Sequence, residues 1–426
     1  MADWEIESSR PLRGEIEVPG DKSISHRAVI LGSIAEGESR VWKWLFADDV
    51  LRTIRAFQEL GVKIEISDKL AIHGRGRFGL SAPRQTLDLG NSGTSMRLIA
   101  GILAGQPFAS VLTGDESLRT RPMKRIIDPL RLMGARIEGE QDGYAPLAIK
   151  GASLHGIEYE LPVASAQVKS CILLASLLAE GKTKIIEPAE TRDHTERMLK
   201  FFGVELKKQG LFIELGCGQD LNSQVIEVPG DISSAAFFMV AGSIVPGSRM
   251  VIRNVGLNPT RSGMIEALQK MGAEIEAQNQ HMAGGEPIAD LYIRHQALKA
   301  TEISGALIPR LIDEIPALSV AAALAEGITT IKDAKELRVK ESDRISSMTQ
   351  ELRKMGANIE EREDGMVIEG VKELRPAEVF SHRDHRVAMS LAVAGLVARG
   401  KTRIKSVEWV ETSFPDFLKK LNKLVA

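Results

Sequence analysis

Val18-Pro19-Gly20-Asp21 recurs as Val228-Pro229-Gly230-Asp231, and after both copies come a helix of small residues and a glycine, Gly37 or Gly247. A repeat over this distance indicates that the 426 residues form two similar halves. We predict one domain over 21–228 and a second domain from 1–20 together with 229–426. The strand-like segment before Pro19 is expected to pair with the second domain.

A smaller module repeats inside each half with a pitch of roughly seventy residues. Its first helix is rich in Ala and Leu and precedes a strand, and its second helix is amphipathic and ends in Gly-Val or Gly-Ala. Glycines that close the first helix, each expected as a helix C′ residue, are Gly37, Gly105, Gly181, Gly247, Gly327 and Gly400. Glycines that close the second helix are Gly61, Gly134, Gly203, Gly272 and Gly356. The first helix is almost wholly apolar, as in 315–324, so we expect it to be buried on all sides. The sequence therefore predicts an α/β fold of two pseudo-threefold domains with buried helices and outer sheets.

The composition is that of a globular protein without a strong overall charge. The chain is 43% hydrophobic and 26% charged, and its formal net charge is -2. Because this balance creates no long-range field, nucleic acid and membranes are not expected as partners, and an anion site must be a local basic cluster. Cys171 and Cys217 are too few thiols for a disulfide framework or a four-thiolate zinc site. With no signal sequence and no apolar stretch of membrane length, we expect a cytoplasmic protein.

Three motif matches are rejected because their context is wrong. Gly395-Leu-Val-Ala-Arg-Gly400-Lys401-Thr402 fits the phosphate-loop pattern, but a helix precedes it and a strand follows, which reverses the required order. The stretch from Gly74 to Gly79 fits a dinucleotide fingerprint, but no helix follows, so we interpret it as a loop. His382 and His385 lack a partner cluster, so we expect structural or anion-facing histidines and no metal site.

Basic residues stand at the starts of predicted helices in the first half. Asp21-Lys22-Ser23-Ile24-Ser25-His26-Arg27 opens a buried helix, whose free N–H groups and cations can meet a phosphate or carboxylate. Its duplicate Asp231-Ile232-Ser233 lacks Lys and Arg, so folding does not need these cations. Asn91-Ser92-Gly93-Thr94 repeats the arrangement with small residues that admit a ligand. Arg121-Pro122 places an arginine just before a helix for bidentate anion contact, and an exposed basic loop is the alternative.

Charged clusters also precede helices in the second half. Asp313 stands before the apolar helix that starts near Ile315, and Lys340-Glu341-Ser342-Asp343-Arg344 and Asp384-His385-Arg386 precede two more. Charges that enter buried helices must pair or line a cleft. A charged cleft shared by both domains explains all these clusters, while a simple N-cap remains the alternative for Asp313.

This set of motifs resembles the 5-enolpyruvylshikimate-3-phosphate (EPSP) synthase family over essentially the full length. The matching motifs are Lys22-Ser23-x-Ser25-His26-Arg27, Asn91-x-Gly93-Thr94, Arg121-Pro122, Lys340-Glu341-x-Asp343-Arg344 and Asp384-His385-Arg386. The resemblance implies two domains, each an inside-out α/β barrel of three βαβαββ-like units, with the active site in the inter-domain cleft. It implies transfer of the enolpyruvyl group of phosphoenolpyruvate to the 5-hydroxyl of shikimate 3-phosphate, with no metal or organic cofactor. We expect a monomer.

The resemblance also assigns site residues, motif by motif. Shikimate 3-phosphate would be held by Lys22, Ser23, Arg27, Ser165, Gln167, Arg192, Asp313 and Lys340. Phosphoenolpyruvate would be held by Lys22, Gly93, Arg121, Gln167, Arg344 and Arg386, with Thr94 next to Gly93 as a further substrate-binding residue. In the family's roles Asp313 accepts the proton of the 5-hydroxyl, and Glu341, assisted by Lys22, exchanges a proton at the methylene carbon. Such residues suit the reaction because cations hold two mutually repelling anions together while carboxylates move protons.

The chain departs from some family members at three positions. Glu411 stands near Phe414-Pro415-Asp416 where others have lysine, Ala166 replaces a serine, and Glu336 replaces an asparagine. Two alternatives stay open. An enolpyruvyl transferase that acts on UDP-N-acetylglucosamine would use a loop cysteine, which 115–125 lacks. A non-catalytic anion-binding protein would not need Asp313 and Glu341.

Overall fold

The apolar segments that follow the predicted N-caps form buried helices. The computed structural model describes residues 3–141 and 143–425. The core helices, as we call them, are Lys22–Ile34, Gly93–Ala104, Ala166–Ser176, Ile232–Ile244, Ile315–Ala323 and His385–Gly395. Every residue of the last three is buried, and the first three are less buried only near their N-terminal ends. The prediction of buried helices is therefore confirmed.

The described residues form two units, each with its own hydrophobic core. The N unit consists of Gly20–Val228 and Ala283–Gly285. The C unit consists of the chain up to Pro19, Pro229–Met282 and the chain from Glu286 onward. Gly20 falls in the N unit, one residue earlier than the sequence boundary, because it packs tightly against that unit. A Cβ on Gly20 would lie 2.0 Å from the carbonyl oxygen of Lys43.

One sheet pattern repeats in the N unit. In each sheet the first and second strands in spatial order are parallel. The third strand is antiparallel to both the second and the fourth. In spatial order the sheets are Val225–Glu227, Glu36–Trp42, Lys69–Arg75, Lys63–Ile66; then Leu87–Asp88, Ala109–Thr113, Tyr144–Lys150, Arg136–Glu140; then Glu158–Glu160, Lys182–Ile186, Phe212–Gly216, Leu206–Gln209. Leu154–His155 and Ala179–Glu180 form a short parallel pair.

The C unit has two four-stranded sheets with the same spatial order and one three-stranded sheet, and the N-terminal strands belong to it. Its sheets are Arg13–Glu17, Arg249–Gly256, Glu286–Arg294, Glu274–Ala283; then Glu302–Ile303, Ile328–Ile331, Gly365–Glu369, Asn358–Arg362; then Glu378–Phe380, Lys401–Lys405, Trp4–Glu7. Trp4–Glu7 pairs antiparallel with Lys401–Lys405, and Arg13–Glu17 pairs parallel with Arg249–Gly256. Each unit thus has a threefold set of core helices and sheets, as the α/β prediction required.

A second set of helices is amphipathic. These cover helices are Asp48–Glu59, Lys124–Leu132, His194–Phe201, Gly263–Lys270, Arg344–Lys354 and Phe417–Leu424. Shorter helical segments are Glu116–Arg119, Gly305–Leu307, Ile308–Leu311, Ile312–Glu314, Lys335–Val339 and Val407–Thr412. Within the described residues, no helix is long and apolar enough to cross a membrane.

The repeated glycines confirm the predicted ends of the second helices but not those of the first helices. The glycines after the second helices, such as Gly61 and Gly134, have φ of 86° and 95°, in the left-handed region that favours glycine. The prediction of a helix C′ residue is wrong for Gly105, which is itself the C-cap of its helix and has a φ of -100°. Close packing accounts for glycine there, because a Cβ would lie 2.7 Å from Cβ of Leu178. The C′ prediction is also wrong for Gly37, Gly181, Gly247, Gly327 and Gly400, because their helices have C-caps at Ala35, Leu177, Val245, Leu324 and Leu396, two to four residues earlier.

The rejected phosphate-loop and dinucleotide motifs have the predicted local structure. A core helix ends at Gly395 and a strand begins at Lys401, so no helix N-terminus follows the phosphate-loop pattern. The Gly74 motif continues from the strand Lys69–Arg75 into a loop. Both interpretations are confirmed.

Candidate active site

The first core helix begins with a lysine held by a carboxylate. Asp21 caps this helix by accepting a hydrogen bond from Ile24 N at 2.9 Å. Lys22 Nζ lies 3.0 Å from Asp49 Oδ2, and the two side chains are 20% and 10% exposed. The Lys22 side chain is therefore partly accessible, and its ammonium group is oriented by Asp49 in the first turn of the cover helix Asp48–Glu59. Asp49 was not predicted, since an acidic residue in a first helical turn is also expected from the helix dipole alone.

Arg27 lies deeper in the same helix and contacts hydroxyl groups of the N unit. Its Nε donates to Thr195 Oγ1 at 2.7 Å, and one Nη donates to Ser170 Oγ at 2.8 Å. The other Nη donates to the carbonyl oxygen of Ser23 at 3.0 Å. Arg27 thus links the first core helix to the third and to the cover helix His194–Phe201.

A buried chain of polar side chains joins the first two core helices. His26 Nδ1 lies 2.7 Å from Thr53 Oγ1, and Thr53 Oγ1 lies 2.6 Å from Ser95 Oγ. Ser95 Oγ in turn lies 2.6 Å from Ser92 Oγ. Burial, with the nearby charges of Lys22 and Arg27, holds the pKa of His26 well below its usual value. His26 is therefore neutral at pH 7 and acts as a link rather than a cation.

Two arginines converge at the start of the second core helix. Arg121 donates to Asn91 Oδ1 at 2.6 Å and to Ser117 Oγ at 3.2 Å. A Cβ on Gly93 would lie 3.4 Å from Arg121 Nη1 and 3.1 Å from Arg97 Nη1. Glycine therefore leaves room for both guanidinium groups. Arg97 was absent from the predicted site, although its position one turn into a helix that begins at Gly93 was a usable signal.

The third core helix supplies the partner of these arginines. Gln167 Oε1 accepts a hydrogen bond from Arg97, and Gln167 Nε2 donates to Thr94 Oγ1 at 3.0 Å. Ser165 caps the helix by accepting from Val168 N at 3.4 Å. The starts of all three core helices of the N unit are thus linked by hydrogen bonds. Arg192, partly exposed, precedes the cover helix His194–Phe201.

A buried arginine organises the candidate residues of the C unit. Arg344 Nη1 lies 3.0 Å from Asp313 Oδ1, and Arg344 Nη2 lies 2.7 Å from Glu341 Oε2. Its Nε lies 2.8 Å from Asp384 Oδ2. Burial acts to lower the pKa of Arg344, but Asp384, Glu341 and Asp313 outweigh it and raise the pKa above its usual value. Burial likewise acts to raise the pKa of Asp384, and Arg344 outweighs it and lowers that pKa. Both groups remain ionised.

Lys340 and Arg386 complete this cluster. Lys340 Nζ lies 3.5 Å from Asp313 Oδ1. Arg386 Nη1 donates to the carbonyl oxygen of Asp313 at 3.1 Å and lies 3.7 Å from Glu314 Oε1. Lys340 and Arg344 thus both contact Oδ1 of Asp313. The side chain of Asp313 is 14% exposed. The arrangement presents carboxylates beside cations, as acid–base chemistry on an anionic substrate requires.

The predicted residues fall into one group per unit. The N unit contains Lys22, Ser23, Arg27, Gly93, Thr94, Arg121, Ser165, Gln167 and Arg192. The C unit contains Asp313, Lys340, Glu341, Arg344 and Arg386. His382, considered and rejected as a metal ligand, lies with Nε2 2.7 Å from Glu351 Oε1. In the part of the chain that the structure describes, no three His, Cys, Asp or Glu side chains form a group that could hold a metal ion.

Comparison with known proteins confirms the resemblance. A sequence model of EPSP synthase (3-phosphoshikimate 1-carboxyvinyltransferase) matches residues 6–421. The 3-phosphoshikimate 1-carboxyvinyltransferase of Geobacter sp. (strain M21) is 53% identical and covers 100% of both chains. The enzyme of the same name from Syntrophomonas wolfei is 54% identical over 98% of both chains. A solved structure of EPSP synthase from Acinetobacter baumannii has a TM-score of 0.90 at 48% identity, and covers 99% of this chain and 98% of that one. The chain therefore belongs to the EPSP synthase family, the 3-phosphoshikimate 1-carboxyvinyltransferases.

Proposed function

We propose that the basic helix starts of the N unit and the carboxylate cluster of the C unit act together on the same two substrates. The reaction is that of the family: the enolpyruvyl group of phosphoenolpyruvate is transferred to shikimate 3-phosphate and phosphate is released. The observation that carries the proposal is the pairing of Asp313 and Glu341 with a buried Arg344, since a simple anion-binding site would need only cations.

In this proposal cations from both units hold the two anionic substrates. Shikimate 3-phosphate contacts Lys22, Ser23, Arg27, Ser165, Gln167, Arg192, Asp313 and Lys340. Phosphoenolpyruvate contacts Lys22, Gly93, Thr94, Arg121, Gln167, Arg344 and Arg386. Gly93 supports the second assignment because its missing side chain leaves Arg97 and Arg121 close together, where their planar guanidinium groups can bind a carboxylate or phosphate in bidentate fashion.

The proposed chemistry is an addition followed by an elimination. Glu341, assisted by Lys22, supplies a proton to the methylene carbon of phosphoenolpyruvate, and cationic character develops at the neighbouring carbon. The 5-hydroxyl oxygen of shikimate 3-phosphate adds to that carbon while Asp313 takes up the hydroxyl proton. The tetrahedral intermediate then loses a proton from its methyl group and releases phosphate, which restores the double bond. Arginine and lysine stabilise the charge that changes along this path.

The enzyme is proposed to be a cytoplasmic monomer with no nucleic-acid or membrane partner and no cofactor. The alternative acceptor, UDP-N-acetylglucosamine, would require an accessible acid in the loop that Arg119 and Arg121 occupy. Cys171 lies elsewhere and is fully buried, and burial raises the pKa of its thiol. Cys217 is exposed, and it also lies outside that loop. These positions favour shikimate 3-phosphate.

A phosphate-release assay with each acceptor tests the proposal. We expect release with shikimate 3-phosphate and none with UDP-N-acetylglucosamine. Asp313→Asn should reduce kcat by about a hundredfold or more, because the proton acceptor is lost, while KM changes little. Unchanged kcat in this variant would remove Asp313 from the mechanism, and activity with the nucleotide sugar alone would overturn the choice of acceptor.

A further inference from the structure

Three charged side chains are buried together beneath the third core helix. Lys169 Nζ lies 3.0 Å from Glu187 Oε2 and 2.7 Å from Glu196 Oε1. The side chains of Lys169 and Glu187 are 0% exposed, and that of Glu196 is 3% exposed. Desolvating charges in this way is costly, and apolar residues of the same volume are often at least as stabilising. Stability alone therefore gives no reason for this cluster.

The other core helices also indicate that folding does not require a charged residue at the position of Lys169. Lys169 is the fourth residue after the N-cap Ser165 of its core helix. The residues in the same place after the other N-caps are Ser25, Met96, Ala235, Leu318 and Ala388. None of these is charged, so a core helix of this fold forms and packs without a lysine here. The charge at Lys169 serves something specific to the third module.

The cluster fixes the backbone on both sides of Thr191. Glu187 Oε1 accepts a hydrogen bond from Thr191 N at 3.2 Å and another from Thr191 Oγ1. Lys169 Nζ donates to the carbonyl oxygen of Thr191 at 3.4 Å. Thr191 is 4% exposed, and the next residue is the partly exposed Arg192. The two peptide groups that flank Thr191 are thus both held: the preceding one through its N–H, and the one that joins Thr191 to Arg192 through its carbonyl oxygen.

The same lysine belongs to the helix turn that carries two other proposed ligands. Lys169 N donates to the carbonyl oxygen of Ser165 at 3.1 Å, and Gln167 lies between them in that turn. Glu196 lies in the cover helix that follows Arg192. The buried charges therefore link the Ser165 turn and the Thr191 segment to the cover helix His194–Phe201.

We propose that Lys169, Glu187 and Glu196 are positioning residues that aim Arg192 at the phosphate of shikimate 3-phosphate. This inference rests on the proposed function, in which Arg192 contacts that substrate. A guanidinium binds a phosphate best when its planar fork meets two oxygens, so its value depends on direction as well as charge. Loosening the Thr191 peptide should weaken shikimate 3-phosphate binding and leave phosphoenolpyruvate binding nearly unchanged.

Two variants test the inference through steady-state kinetics. Thr191→Val removes one hydrogen-bond donor to Glu187 at similar shape, and we expect KM for shikimate 3-phosphate to rise about three- to tenfold. Lys169→Met removes the buried cation at similar length, and we expect a rise of about tenfold or more. KM for phosphoenolpyruvate should stay within about twofold. If Lys169→Met does not fold, Thr191→Val carries the test.

A second background and a matched control separate positioning from a general loss of structure. In Arg192→Ala, which should itself raise KM for shikimate 3-phosphate, Thr191→Val should add no further increase, because residues that act through one another are not additive. Thr183→Val is the control, since Thr183 is 2% exposed in the same unit and its Oγ1 has no hydrogen-bond partner among the described residues. This control should leave both KM values unchanged.

The outcomes distinguish the two proposals. If Arg192→Ala raises KM for shikimate 3-phosphate while Thr191→Val does not, the positioning role is wrong and the substrate contact stands. An equal effect of Thr191→Val with and without Arg192 also overturns the positioning role. If Arg192→Ala leaves KM unchanged, the substrate contact of Arg192 itself is wrong, and the positioning role falls with it.

Discussion

Arg344 donates from Nε to Asp384 Oδ2 at 2.8 Å, and the two side chains are 1% and 0% exposed. Asp384 also caps the core helix that carries Arg386, by accepting from Arg386 N at 2.8 Å. One carboxylate thus orients two of the cations assigned to phosphoenolpyruvate. The Arg344–Asp384 pair is the structural centre of the C unit cluster.

Replacing Asp384 with asparagine should cost both stability and activity. Asp384→Asn leaves the buried Arg344 without its most buried counter-charge, and breaking such a pair typically costs about 3–5 kcal/mol. We expect a lower free energy of unfolding in urea and a higher KM for phosphoenolpyruvate. Asp416→Asn is the matched control, because its ion pair with Lys420 is 46% exposed at the aspartate and such pairs contribute only about 0–1 kcal/mol. Equal stability of the two variants would contradict the central role of Asp384.

The stability of the enzyme should fall at mildly acidic pH because of His26. Burial keeps the pKa of His26 well below its usual value, so the folded protein resists protonation there while the unfolded chain is protonated below about pH 6.5. The unfolded state then binds more protons, and the free energy of unfolding decreases as pH falls. For this one group the loss between pH 7.5 and pH 5.5 is on the order of 1 kcal/mol.

The variant His26→Asn isolates this contribution. Asparagine does not titrate, so the difference in the free energy of unfolding between pH 7.5 and pH 5.5 should shrink by about the amount given above. The measurement is urea unfolding at both pH values. His281→Asn, which replaces an exposed histidine, is the control and should keep the wild-type difference. An unchanged difference in His26→Asn would mean that His26 is protonated in the folded state.

Much of the fold could be predicted because it depends on short sequence patterns that recur along the chain. Apolar helices after N-caps, and a glycine such as Gly61 after a cover helix, depend on residues close together in the chain. Gly105 shows one limit of this approach. Glycine is needed there because of the distant Leu178, and no local pattern reveals a close approach between residues far apart in sequence.

The charged residues of the candidate site could be predicted from the sequence, but most of the ion pairs and hydrogen bonds between them could not. Lys22 and Arg344 stand at helix starts, which sequence alone identifies as anion sites. Their partners depend on the tertiary fold, since Asp49 lies 27 residues after Lys22 and Asp384 lies 40 residues after Arg344. The pairing partner of Arg97 could not be identified for the same reason. The role of Arg97 depends on Gln167, which belongs to another module.

Adding one methyl group at Gly93 should weaken phosphoenolpyruvate binding while the fold persists. A Cβ there would lie 3.1 Å from Arg97 Nη1 and 3.4 Å from Arg121 Nη1, the ends of long side chains, so Gly93→Ala displaces the Arg97 guanidinium by a few tenths of an ångström and brings a methyl group into contact with that of Arg121. Since positioning errors near 1 Å can cost about a hundredfold in rate, we expect roughly a tenfold rise in KM for phosphoenolpyruvate and little change in the urea midpoint. Gly216→Ala is the matched control, because a Cβ there meets nothing within 4 Å. Wild-type KM in Gly93→Ala would mean that Arg97 and Arg121 do not bind this substrate in the arrangement described, because a displaced clamp could not leave its ligand unaffected.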